Sequence, residues 1–169
     1  MSKARIANFC SQCGHALAMQ EHYGLPRPAC PSCGHIEFFS PNVAVLALVE
    51  SEGKVLLVQR KHEPKQGYWA LPAGFMEWNE DPAVAARREV LEETGLTISI
   101  DGLIDVYHTP SDGGLADIVI AYRGMVVSGT AQPMNDAEAL GWFTKDDLPP
   151  LAFLPTERVI ERWRAGTIW

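Results

Sequence analysis

The sequence predicts an α/β fold, a three-layer α/β/α sandwich with a mixed sheet, preceded by a small cysteine-stapled appendage. Three observations carry this reading. All four cysteines fall before residue 41, apolar runs of strand length begin only after it, and two later segments have the spacing and end signals of helices. The boundary is therefore set at Ser40-Pro41, with an appendage over 1–40 and a domain large enough for one well-filled core over 41–169.

The appendage is built from two near-copies, Cys10-Ser11-Gln12-Cys13-Gly14-His15 and Cys30-Pro31-Ser32-Cys33-Gly34-His35. Each Cys-x-x-Cys can point two sulfurs at one ion, and the glycine after it lets the backbone turn beneath. The spacing between the pairs suits a four-cysteine zinc ribbon, with Cys10, Cys13, Cys30 and Cys33 as ligands to a structural Zn²⁺. Two disulfides are the competing reading. Four thiolates complete a tetrahedron, so His15 and His35 are expected beside the site rather than on the metal. Few basic residues stand near the knuckles, which favours a structural or homodimer-forming role over nucleic-acid binding.

Residues 43–49 and 54–60 are apolar strand-length runs joined by a turn at 50–53, and they read as a hairpin of a buried mixed sheet. Arg60 and Lys61 close the second run, where they can reach a substrate phosphate or end as solvated charges. A helix is predicted over 82–94. Asp81 caps it, Pro82 suits its first turn and Gly95 ends it in a left-handed conformation. Residues 98–108 and 116–127 form a second predicted hairpin across the turn-rich stretch 109–114, and 138–144 forms one more strand. Thr144-Lys145-Asp146-Asp147 predicts a brief helical turn. A closing amphipathic helix spans 155–165, with Val159, Ile160 and Trp163 on one side.

The helix over 82–94 also carries chemistry. At 100° per residue Glu93 lies about 40° from Glu89, with Glu92 about 60° to the other side. Three carboxylates on one face repel one another, and a hard divalent cation relieves that repulsion. Oxygen-only ligands point to Mg²⁺ or Mn²⁺. Arg88 can orient the cluster, and the backbone oxygen of Ala73 or Gly74 can complete the coordination sphere.

The stretch from Gly74 to Leu96 resembles the Nudix box: Gly74, five residues, Glu80, seven residues, Arg88-Glu89, the aliphatic Val90, then Glu92-Glu93, Gly95 and Leu96. Every defining position is filled, although Asn79 stands where many members carry glycine. Gly67-Tyr68-Trp69-Ala70-Leu71-Pro72-Ala73-Gly74 is similar to the usual lead-in. The resemblance implies the Nudix sandwich and a hydrolase of nucleoside diphosphates linked to another moiety. It also implies water attack on one phosphorus of a P–O–P bridge, with one to three Mg²⁺ held by Glu89, Glu92 and Glu93. A further carboxylate is expected from just before Trp142-Phe143, with Glu138 preferred over Asp136 as ligand or base.

A four-cysteine ribbon joined to such a domain resembles two groups. The NADH diphosphatase family has this layout, but its Ser-Gln-Pro-Trp-Pro-Phe-Pro signature is absent; Asp105-Val106-Tyr107-His108-Thr109-Pro110-Ser111 stands in that region. The plant ADP-ribose/FAD diphosphatase group is similar in Phe9 to Gly14, in Leu71 to Gly74 and in Leu151-Ala152-Phe153. That resemblance implies ADP-ribose or FAD as substrate and AMP as product. An adenine or flavin ring needs a flat apolar partner, for which Trp78 leads, followed by Trp69, Phe75, Tyr107 and Phe153. Three alternatives are an NADH diphosphatase, a cleanup hydrolase for nucleoside triphosphates and a nucleotide-sensing module that binds without hydrolysis.

The net charge of −7 over 169 residues argues against a broad nucleic-acid surface and against a polybasic membrane contact. An anionic nucleotide must then be met by a metal or by local arginines. No apolar run reaches membrane length and no secretion-signal layout opens the chain, so a cytoplasmic location is expected.

Overall fold

The computed structural model describes residues 7–109 and 116–168, which separate into two compact units at Pro41/Asn42. In the first unit β1 (Ala18–His22) and β2 (Leu25–Ala29) form an antiparallel hairpin. Its two turn residues, Tyr23 and Gly24, both have positive φ, at 56° and 72°. Such a turn matches the right-handed twist of paired strands. Nothing in the apolar pattern of this segment had predicted these strands, because most of their side chains stay exposed.

The second unit holds a seven-stranded mixed sheet. Its continuous path runs β5 (Trp69–Ala70), β4 (Lys54–Arg60), β3 (Val43–Ser51), β8 (Ile118–Gly129) and β7 (Leu96–His108). Two further strands leave that path: β6 (Ala73–Phe75) pairs with β3, and β9 (Ala137–Phe143) pairs with β4. The sheet is sandwiched between α1 (Pro82–Thr94) and α2 (Leu154–Ala165). Strand β3 shows why its sequence is apolar throughout: Leu46 and Leu48 pack with Val159, Ile160 and Trp163 of α2, whereas Val45 packs with Ala85 and Ala86 of α1. Both faces are covered, so the alternation of a half-solvated strand is lost.

Two sequence expectations are corrected. β3 and β4 pair as neighbours only beside their turn, at Glu50↔Val55 and Ser51↔Lys54. Beyond it β3 turns to β6 and to a parallel β8, while β4 turns to β5 and β9. Two apolar runs separated by a short turn carry no signal for that divergence. Thr144-Lys145-Asp146-Asp147 forms a turn with a single Asp147 N–H to Thr144 carbonyl contact of 3.4 Å, and not a helical turn. Aspartate in place of the usual Glu or Gln is too short to complete the reciprocal cap. The β7–β8 hairpin forms as expected, but most of its predicted turn lies outside the described residues.

Helix α1 has the predicted limits. Asp81 accepts from the N–H groups of Ala83 at 2.9 Å and Val84 at 3.2 Å. Gly95, at φ 70°, donates to the Leu91 carbonyl. The segment after β8 then docks on the C-terminal turn of α1, where Gln132 and Met134 donate their N–H groups to the carbonyls of Thr94 and Glu93. This contact satisfies orphan helix carbonyls and brings Asp136 toward Glu93.

Candidate active site and metal centre

The box residues form one network around Arg88. Its Nε and Nη2 donate to the two carboxylate oxygens of Glu80 at 2.9 and 2.8 Å, a bidentate pair. Nη1 donates to Glu89 at 2.7 Å, and Nη2 also reaches the Phe75 carbonyl at 3.0 Å. Glu92 lies 3.5 Å from Nη1 and is 45% exposed, the most open of the set. The Arg88 pair holds Glu80 below the usual carboxylate range, and the same pairing raises Arg88. Arg88 thus bonds Glu80 and Glu89 and lies beside Glu92.

Glu89 and Glu93 sit in a different environment. Burial raises the pKa of Glu89 against the pull of Arg88. Burial also pushes Glu93 up to about 8, even though it accepts the Ala73 N–H at 3.1 Å; the charges of Glu89 and Asp136 act in the same direction as burial. Two partly dehydrated carboxylates of like charge favour either a proton or a cation between them. Gly74 adds a geometric observation. A Cβ built on it would collide with the Glu89 carboxylate, so the bare backbone of β6 forms one side of the cradle in which that carboxylate lies. Donor type, repulsion and cradle all fit a hard divalent cation. Ala73 meets the site through its N–H, as donor to Glu93.

Beside Glu93 opens a cavity of about 320 Å³, at the lower end of small-molecule sites. Its wall includes Arg60, His62, Phe75, Asp136, Phe153 and Thr156. His62 lies 3.8 Å from Asp136. Of the predicted ring partners, Phe75 and Phe153 line this cavity. Trp78 is 93% exposed on the loop before α1 and does not line it. Trp69 packs edge-on against Phe143 at 4.9 Å, and Tyr107 packs against the core beside α2. Glu138 is exposed on β9 outside the lining, whereas its neighbour Asp136 is part of it. Sequence reasoning had passed over His62 and Thr156. A histidine in a charged loop and a threonine at a helix start read as solvated residues, and only the fold brings them to one wall.

The four cysteines come together in the first unit. Cys10 and Cys33 Sγ are 3.6 Å apart, and Cys13 lies 3.5 Å from both Cys30 and Cys33. These separations exceed a disulfide bond and are close to the ~3.8 Å edge of a tetrahedron with Zn–S near 2.3 Å. The knuckles repeat in detail: Cys10 and Cys30 N–H donate to the His15 and His35 carbonyls, both at 2.8 Å. Gly14 and Gly34 turn at φ 74° and 75°. Neither histidine belongs to the four-sulfur cluster; His35 contacts Ser11 and Glu37 instead.

Comparison with known proteins places this geometry. The family model described as NUDIX domain matches residues 39–163. An ADP-ribose pyrophosphatase of Methanocaldococcus jannaschii is 35% identical over 76% of this chain and 78% of its own length. A NAD-capped RNA hydrolase, NudC, of Pseudomonas aeruginosa is 32% identical over 94% of this chain, which spans 54% of that relative. The crystal structure of a NUDIX hydrolase from Nitrosomonas europaea is similar with a TM-score of 0.87 and 33% identity, covering 95% of this chain and 92% of the other. The chain belongs to the Nudix hydrolase family.

Proposed function

We propose that this chain hydrolyses the diphosphate bridge of a nucleoside diphosphate derivative, with ADP-ribose or FAD as its substrate, and releases AMP. The observation that carries the reading is that half-buried Glu93 lines a cavity large enough for one nucleoside moiety, while the Glu89 carboxylate lies against Gly74 of the same wall, both carboxyls being raised in pKa by burial. A bound Mg²⁺ or Mn²⁺ supplies a Lewis acid that lowers the pKa of water and offsets charge developing on phosphate oxygens. Glu89, Glu92 and Glu93 would hold it. Arg88 keeps Glu89 oriented, whereas Glu93 accepts the Ala73 N–H and feels the more distant charge of Arg60. Asp136, facing the same cavity, is the candidate to accept a proton from water, in preference to Glu138. The similarity to an ADP-ribose pyrophosphatase supports the substrate, and the four-sulfur cluster supports a structural Zn²⁺ in the first unit.

The test is a product-resolved hydrolysis panel of ADP-ribose, FAD, NADH and nucleoside triphosphates, with Mg²⁺ and with Mg²⁺ withheld. Mg²⁺-dependent release of AMP, fastest from ADP-ribose or FAD, is the expected result. Pyrophosphate release from triphosphates alone would replace it with the cleanup reading. Silence across the panel would leave nucleotide binding without hydrolysis.

A further inference from the structure

Arg60, which the sequence leaves either to reach a phosphate or to end as a solvated charge, bonds its own loop through two of its three nitrogens. Nε donates to the Pro64 carbonyl at 2.9 Å and Nη2 contacts the His62 carbonyl at 3.4 Å. Those two contacts fix the guanidinium plane, and its Cζ lies 4.8 Å from the centroid of the Phe153 ring. Phe153 is itself held at φ 65° and ψ 137°, a strained conformation that a side chain with a Cβ rarely adopts. The surroundings enforce it. Ala152 donates to the Trp69 carbonyl at 2.7 Å, Leu151 bridges to Trp69, and the Phe153 carbonyl accepts the Glu157 N–H of the first turn of α2. A strained aromatic residue and a flat cation locked against it both line the cavity beside Glu93.

We infer that Arg60 and Phe153 form a stacking platform for the nucleobase of the substrate, so that Arg60 recognises a ring by its face instead of clamping a phosphate. This rests on the function proposed above. Three features favour a base as occupant. The guanidinium face is partly desolvated, which strengthens its attraction for a π system. The remaining wall is largely apolar, with Leu46, Val58, Leu71 and Val119. Thr156, only 2% exposed, adds a polar group to the same wall, suited to the edge of a base or a ribose hydroxyl. A divalent cation held by Glu89 and Glu93 would bind the phosphate, and Glu93 shares its cavity with Arg60 and Phe153.

The platform is tested by titrating AMP and ribose 5-phosphate, which share a phosphate and differ in the base, into the full chain with Mg²⁺ by calorimetry. The wild type is expected to bind AMP at least tenfold more tightly. Arg60→Lys keeps the charge and loses the plane; Phe153→Leu keeps the bulk and loses the ring. Each is expected to weaken AMP roughly tenfold, the scale of one base–aromatic stack, and to leave ribose 5-phosphate unchanged. Phe153→Tyr is expected to retain AMP affinity, and with Arg60→Lys it carries the test if Phe153→Leu does not fold. Equal weakening of both ligands would make Arg60 a phosphate clamp and overturn the inference. So would unchanged AMP binding in the variants, or no preference for AMP in the wild type. ADP-ribose hydrolysis by the wild type is followed in parallel. Hydrolysis without AMP preference sinks the platform alone, whereas AMP preference without hydrolysis of any nucleotide keeps the platform and sinks the proposed function.

Discussion

Glu93 combines a place at the cavity with burial that pushes its carboxyl up to about 8. Replacing it with glutamine keeps the shape and removes the charge. Turnover of ADP-ribose is expected to fall at least about a hundredfold, the scale of removing one electrostatic stabiliser. Near-normal turnover would take Glu93 out of the reaction. The same burial has a thermodynamic signature. A carboxyl whose pKa is higher folded than unfolded takes up a proton on folding, so its contribution is fully present below about pH 4.3 and is lost as pH rises toward 8. With Mg²⁺ withheld, the wild-type melting temperature should therefore decline between about pH 5 and pH 8 more steeply than that of Glu93→Gln. Adding Mg²⁺ should restore it by binding the folded state alone. Parallel pH profiles for the two proteins would show that Glu93 is not strained by its surroundings.

The element that sets the site is α1 against β6. Helix propensity and caps place Glu89, Glu92 and Glu93 on one face, and the glycine of β6 lets the Glu89 carboxylate approach the backbone. Gly74→Ala should therefore lower turnover by an order of magnitude or more while the melt changes little, because the neighbour that must move is the end of the Glu89 side chain and not backbone. A large loss of stability with turnover preserved per folded molecule would refute this. These elements were legible in the sequence for physical reasons. Asp81, Pro82 and Gly95 fix both ends of α1, and doubly buried strands leave unbroken apolar runs at β3 and β4. What was not legible is long-range. β5 and β6 are two and three residues long and depend on partners for their existence. Asp136 reaches the cavity only because Gln132 and Met134 bond to the end of α1. Arg60 meets Phe153 across ninety-odd residues of sequence, a pairing that no local period encodes.

At the scale of the whole molecule the two units are stabilised by different means. The Nudix unit has apolar clusters on both faces of its sheet. In the first unit the buried apolar residues among those described are Cys10, Pro28, Ala29 and Cys30, whereas Phe9, Met19, Tyr23, Leu25 and Phe38 are more than half exposed. A two-stranded hairpin with so little burial is marginal in water, so the ion at the four sulfurs would supply most of its folding free energy. Two of its ligands come from each knuckle, and losing either pair leaves the other on an open turn. Cys30→Ala combined with Cys33→Ala is therefore expected to abolish zinc binding and amide-exchange protection across β1 and β2. Protection of β3, β4 and α1, whose core lies within residues 42–168, should remain near wild type. Retained protection of the hairpin without zinc would mean that its turn and strand pairing suffice. Loss of protection throughout both units would mean that the Nudix sheet depends on the ribbon for its own stability.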